Sequence, residues 1–267
     1  MRVDYHVHTD NSYDCKTPMI EMCARAVQNG LSAVAFTDHL NNHLLDVDLG
    51  YYDPARYFDD IDYCRAKFPN LTILAGVEVG EPHRWHRKVQ PILERYPYDI
   101  VLGSLHWVGR DSMFNANFFR SRPPEGAYRA YFSELVTMIE HGGFDVLAHA
   151  DLPKRVGYDV YGSFESRTYE TELRKVWQAC LDHNIIPEIN TKSLRMNVGR
   201  AHPDDEALRW YAEMGGQGVS VGSDAHNTGS LGFGTKDALH SALQCGLSGI
   251  VQFRQRELVG WTKLVES

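Results

Sequence analysis

The sequence predicts a parallel α/β fold, a distorted seven-stranded (β/α)7 barrel of the TIM-barrel type. Short apolar runs of strand length alternate with amphipathic runs of helix length along the chain, the pattern of repeated β/α units and not of a sandwich. Seven of those runs have strand character, and nearly every one ends in His, Asp or Glu. Barrels of parallel strands gather polar residues at many strand ends, whereas an open doubly wound sheet, the competing architecture, concentrates them at one switch point.

The first strand is Val3–Val7, followed by Thr17-Pro18 as a capping residue with proline at the first helical position, and a helix to Asn29 that Gly30 ends. Ala33–Thr37 is a short strand stopping at Asp38-His39. A helix ending near Phe68-Pro69 leads to a third strand, Thr72–Val79, which carries Glu78. A helix through Val89–Arg95 precedes the strand Ile100–Leu105, which delivers His106. The polar and aromatic segment from Trp107 to Pro124 has no clear period. A helix from Glu125 to His141 closes at Gly142-Gly143, and Val146–Ala148 leads to His149. Apolar residues at helical spacing, among them Leu173, Val176, Trp177 and Cys180, predict a helix near Phe164–His183. Ile185–Ile189 is the sixth strand. After a helix over Pro203–Met214, Val219–Val221 is the seventh, ending at Asp224-Ala225-His226. A last helix covers Thr235–Cys245, and Val251–Leu258 is a closing segment of unassigned type.

With no linker, low-complexity tract or internal repeat, the 267 residues read as one domain over 1–267, and 43% hydrophobic content suffices for a full core. The five cysteines are odd in number and widely spaced, without a Cys-x-x-Cys pair, which favours a reducing compartment and no thiolate zinc knuckle. No signal-peptide or membrane-length apolar stretch occurs, so a cytoplasmic protein with no membrane partner is expected. A net charge of −8 disfavours a broad nucleic-acid surface but leaves room for a small anionic substrate. Thirteen histidines, several beside carboxylates, raise the expectation of a metal enzyme.

In an extended strand, side chains at i and i+2 share a face, so His6 and His8 can offer two imidazoles to one ion. Taken singly, such a pair is more often surface decoration. Glu78, His106, His149 and the Asp38-His39 step likewise have ordinary structural readings. Jointly, His6, His8, Asp14, His39, Glu78, His106, His149, Asp224 and His226 converge on one mouth if the strands close. Nine imidazole and carboxylate donors without thiolate suit zinc, manganese or iron, and exceed what one tetrahedral site takes. A cluster is implied, with a carboxylate such as Glu78 able to bridge two ions. Metals that acidify water supply a nucleophile without Ser or Cys, which suits hydrolysis of a phosphate ester.

The segments HVHTDNSYD, TDH, GVE, GSLH, LAHAD and GSDAH, in this order from Asp4 to about Gly234, resemble the polymerase and histidinol phosphatase superfamily of metal-dependent phosphoesterases. The resemblance implies a distorted seven-stranded barrel and a trinuclear centre. One ion would be held by His6, His8, Glu78 and Asp224, a second by Glu78, His106 and His149, and a third by Asp14, His39 and His226. Many members carry histidine where Asp14 stands. Arg155 in LAHADLPKR and Arg195 in EINTKSLR resemble the histidinol-phosphatase branch, whose corresponding arginines grip the substrate phosphate. The usual glycine of the second segment is missing, Ser193 running straight into Leu194. The branch implies hydrolysis of L-histidinol phosphate in histidine biosynthesis, with Glu78, Asp224 and His226 taking part in the chemistry and Asp224 or a metal-bound water as proton donor. Asp46, Asp48, Glu81 and Trp107 are candidates for selecting the alcohol. Competing readings are the same chemistry on phosphotyrosine or a nucleotide phosphate, an amidohydrolase-like metallohydrolase, and a non-catalytic metal-binding module. The two arginines and the absence of a carboxylated-lysine strand disfavour the second, and the complete set of nine donors disfavours the third.

Overall fold

The computed structural model describes residues 2–263, so the extreme ends of the expected domain lie outside the described residues. Seven strands, Val3–Val7 (β1), Ala33–Phe36 (β2), Thr72–Gly80 (β3), Ile100–Ser104 (β4), Val146–Leu147 (β5), Ile186–Asn190 (β6) and Gly218–Gly222 (β7), lie in the sheet in sequence order. All pair in parallel. β1, β2, β4 and β7 are buried at every position, because helices cover the sheet, and the alternating Asp4 and His6 of β1 are enclosed with the apolar residues. The sheet curls until its first strand meets the end of β7. Val7 bridges Ala225 in parallel, His8 N donates to Ala225 O at 2.9 Å and Asp224 N donates to His6 O at 2.8 Å.

The parallel run does not stop at seven. The closing segment forms Gly249–Arg254 (β8), which continues the sheet parallel to β7, and Glu257–Lys263 (β9), which returns antiparallel. β7 serves two neighbours in turn. Its carboxyl end meets β1, and its amino end pairs through Gly218 and Val219 with β8. Gly218 is required there, since a Cβ would meet the Trp261 ring at 1.6 Å.

The helices begin where the chemistry of their first residues allows. Asp53 caps Pro54–Lys67 by accepting from Ala55 N and Arg56 N, and Asp204 caps Asp205–Glu213 by accepting from Ala207 N. The first helix, Met19–Gln28, begins one step later than expected, with Pro18 at the cap itself and no side-chain cap. The segment after Trp107 contains a two-stranded ladder, Trp107–Val108 with Asp111–Ser112, and a short helix, Ala116–Arg120. A helix over Lys154–Tyr161 escapes the sequence pattern, being eight residues long with Gly157 in its middle, where a Cβ would meet Tyr128 Oη at 2.2 Å. No helix among the described residues is long and apolar enough to cross a membrane.

Candidate metal centre

β1 sets the floor of the site. His6 and His8 point to one side, as the two-residue period requires. His6 Nδ1 lies 2.7 Å from Glu188 Oε1, and His8 Nδ1 lies 3.1 Å from Ser12 Oγ, whose hydroxyl donates to Asp38 Oδ1 at 2.6 Å. The carboxylate fixes the proton of His6 on Nδ1, and Ser12, its own proton committed to Asp38, does the same for His8. Both Nε2 atoms therefore turn to one point, 3.1 Å apart, close enough to share a proton or an ion.

Glu78, near the end of β3, stands between two sets of imidazoles. Its Oε1 is 2.9 Å from His149 Nε2 and 3.4 Å from His106 Nε2. Its Oε2 is 2.9 Å from His39 Nδ1, 3.4 Å from His6 Nε2 and 3.5 Å from His8 Nε2. Burial pushes the Glu78 carboxyl up, but His6 and His39 more than reverse this and hold it well below the usual range. Burial, with His226 and His39 beside it, pulls His8 well down, and burial also lowers His149. Burial would lower His6 and His39 too, but Glu188 and Glu78 beside His6, and Glu78 and Asp14 beside His39, raise both well above the ordinary imidazole value. A cation bound there takes the place of those protons.

At the end of β7, Asp224 Oδ1 lies 3.5 Å from His8 Nε2 and 3.5 Å from His226 Nδ1. Asp14, half exposed, approaches His226 Nε2 at 3.0 Å and His39 Nε2 at 3.7 Å. Asp224 and His149 have φ of 51° and 25°, a left-handed backbone that costs a non-glycine residue energy and that the surrounding bonds must hold.

The donor set fits divalent ions. Ligand atoms of His6, His8 and Asp224, of Glu78, His106 and His149, and of His8, His39 and His226 lie within 4.8 Å of one another in three groups. Glu78 Oε2, His39 Nδ1, His149 Nδ1 and His226 Nε2 are buried without a hydrogen-bond partner. Glu78 Oε2 and His39 Nδ1 approach to 2.9 Å without hydrogen-bond geometry, as atoms do that aim at a shared point and not at each other.

Residues 4–192 match the model of the PHP domain family. The chain belongs to that family. It is 28% identical over 255 residues to a probable histidinol-phosphatase of Clostridium acetobutylicum, covering 94% of this chain and 96% of that protein. It is also 28% identical over 267 residues to one of Deinococcus radiodurans, covering 96% and 97%. The fold superposes on the crystal structure of histidinol phosphate phosphatase from Lactococcus lactis, complexed with zinc, L-histidinol and phosphate, with a TM-score of 0.88 at 20% identity, covering 97% of this chain and 99% of that one.

Above this centre the PHP domain holds a cavity of 340 Å³ lined by Asp14, His39, Glu78, His106, His149 and Asp224, among others. The two arginines expected to face a phosphate part company here. Arg155 lines the cavity and donates to Asp224 Oδ2 at 3.0 Å and to Asn190 Oδ1 at 3.0 Å. Arg195 is not among the described lining residues. Its guanidinium donates to Ser230 O and Ser223 O at 3.1 and 3.0 Å, and stacks over Phe233. Two of its five N–H donors are held by these carbonyls. Lys192, one turn earlier, lines the cavity with Nζ 2.9 Å from Asp224 Oδ1.

The sequence reading also passes over Glu188, fully enclosed on β6, the one strand whose end carries no candidate ligand. Besides His6 it accepts from His149 N at 2.9 Å through Oε2. A charged residue inside an apolar strand is the signal that points to it. Glu81 plays a similar part for His106, accepting from His106 N at 2.6 Å and Trp107 N at 2.9 Å.

Proposed function

We propose that the chain is a metal-dependent phosphomonoesterase that converts L-histidinol phosphate to L-histidinol and phosphate, a step of histidine biosynthesis. Glu78 carries the reading: within a PHP domain, its two oxygens face two separate histidine sets. Supporting it, relatives named histidinol-phosphatases align over nearly their full length.

In this reading residues 1–267 form one catalytic domain built as a distorted seven-stranded barrel, with β8 and β9 appended. The trinuclear set is His6, His8, Glu78 and Asp224, then Glu78, His106 and His149, then Asp14, His39 and His226. Zinc, manganese or iron held there would supply Lewis acidity toward phosphate oxygens and acidify water. A cytoplasmic setting belongs to the same reading, in keeping with five free, buried cysteines.

Arg155 and Lys192 bind the phosphate oxygens, since both line the cavity with donors now directed at Asp224. Burial alone would raise the Asp224 carboxyl, but Lys192 and Arg155 hold it well below the usual range. When a phosphate draws those two cations away, Asp224 Oδ2 is left free to pass a proton toward the leaving oxygen. Arg195 acts from behind, pinning the backbone at Ser223 and Ser230. Glu78 stays ionised throughout, and His226 is fixed by Asp224 O at 3.0 Å.

A panel of phosphate monoesters tests the assignment on metal-loaded protein. Histidinol phosphate is expected to give the highest kcat/KM. Preference for phosphotyrosine or a nucleoside monophosphate would replace the substrate while keeping the chemistry.

A further inference from the structure

Behind the cationic end of the cavity lies a polar network that the phosphatase reading leaves unused. Asp151, Lys154, Ser193 and His202 are fully buried, and none is among the described residues that line the cavity. Lys154 Nζ donates to Asp151 Oδ2 at 2.6 Å and to Ala201 O at 2.5 Å, and His202 Nδ1 lies 2.6 Å from Asp151 Oδ1. A buried ion pair of this kind adds little to stability over apolar packing of the same volume. What this pair does is orient an imidazole.

The Asp151 carboxylate fixes the His202 proton on Nδ1. The ring is neutral, since burial and Lys154 beside it pull its pKa down to about 3. Nε2 is left as an acceptor, and two donors converge on it: the Ser193 hydroxyl, and Arg155 Nε at 3.4 Å. Both donors belong to the phosphate end. Arg155 follows β5, and Ser193 follows Lys192 in the single turn Lys192–Arg195 after β6. The His202 backbone completes the clamp by pairing with Asn190 in both directions, at 2.8 and 2.9 Å. Asn190 Oδ1 in turn accepts from Lys192 N at 3.1 Å and from the Arg155 guanidinium at 3.0 Å. One histidine therefore reaches both cations that line the cavity.

We propose that His202, held by Asp151 and Lys154, is a positioning residue that sets both phosphate-binding cations, Arg155 through its Nε and Lys192 through Ser193. The inference rests on the phosphatase reading above and adds to it the group that fixes the phosphate grip. Without Nε2, Arg155 keeps only Asp224 and Asn190, and the turn bearing Lys192 loses its buried hydroxyl bond. Cations held less firmly bind the same anion more weakly.

The test separates phosphate from alcohol. Inhibition by inorganic phosphate and by L-histidinol is measured against turnover of L-histidinol phosphate on metal-loaded wild type, His202→Asn and His202→Gln, with bound metal determined alongside. Asparagine carries an amide N–H to the place of Nδ1 and keeps the Asp151 bond, whereas glutamine carries an amide oxygen to the place of Nε2. His202→Asn is expected to weaken inorganic phosphate and raise KM by about tenfold, with L-histidinol inhibition and bound metal within about twofold of wild type. His202→Gln is expected to stay within about threefold of wild type for phosphate. Unchanged phosphate inhibition in His202→Asn, an equal loss for phosphate and L-histidinol, or a glutamine variant as weak as the asparagine one overturns the proposal. Should neither variant fold, Ser193→Ala decides: phosphate must weaken by at least about threefold with L-histidinol unmoved, and any other result overturns it. Normal turnover with phosphate inhibition unmoved defeats the positioning role only, whereas no phosphate release by wild type defeats the phosphatase reading itself.

Discussion

His6 Nε2 and His8 Nε2 face each other at 3.1 Å, while the other nitrogen of each ring is committed to Glu188 and to Ser12. At that distance the two nitrogens can share a proton when no ion lies between them, and although burial opposes it, Glu188 and Glu78 hold that proton on His6. A divalent cation takes the place of that proton, and its affinity for the folded chain adds to stability. Zinc or manganese at about a hundred times its dissociation constant should raise Tm by about 5–10 °C over protein stripped with chelator. Thermal unfolding with and without metal checks this, and coincident curves would mean that the histidines are satisfied without it.

Glu188 joins two arcs of the site, bonding His6 through Oε1 and the His149 backbone through Oε2. Such orienting carboxylates typically contribute about 10–100-fold in metal affinity. Glu188→Gln should weaken zinc by about that factor in a competition titration against a chelating dye. An unchanged affinity would leave Glu188 as a packing residue.

Lys192 and Arg195 differ by one turn and by what their donors meet: Asp224 and the cavity for Lys192, backbone carbonyls for Arg195. Lys192→Ala should raise KM about tenfold or more with a small change in Tm. Arg195→Ala should chiefly destabilise, by about 1–3 kcal/mol, through two carbonyls left unpaired. The reverse pattern would return the phosphate to Arg195.

Acid stability is set partly by His202, enclosed with Nδ1 2.6 Å from Asp151 Oδ1. Burial, together with Lys154, pulls its pKa from 6.5 down to about 3. Between those values the unfolded chain holds a proton that the folded chain does not, so stability falls as pH falls through this window. Burial would raise Asp151, but Lys154 and His202 hold it at about 2, against 3.8. It therefore acts in the same direction below that higher value. Denaturant unfolding between pH 7 and pH 4 should show a slope reduced by about one proton in His202→Gln. A slope identical to wild type sinks this assignment.

The candidate ligands other than Asp14, which lies in the loop after β1, were legible because strand ends announce themselves: an apolar run stops at His, Asp or Glu, and parallel connectivity brings such ends to one rim. Glu188 was not, because its role depends on β6 and β1 lying two strands apart around the curled sheet, which no local pattern records. The bonds of Arg195 were not legible for a related reason, since its partners Ser223 and Ser230 are about 30 residues downstream. β8 and β9 escaped because their pairing relies on Gly218 yielding to Trp261. The helix bearing Arg155 is too short, and too interrupted by Gly157, to show a period.

The central claim is that His6 and His8 hold a metal that phosphate-ester hydrolysis requires. Bound metal and the rate of phosphate release from L-histidinol phosphate, measured together on wild type and His8→Ala, test it most directly. The account predicts that the variant loses bound metal and at least about a hundredfold in kcat/KM. A variant that keeps wild-type turnover with its metal gone would contradict it.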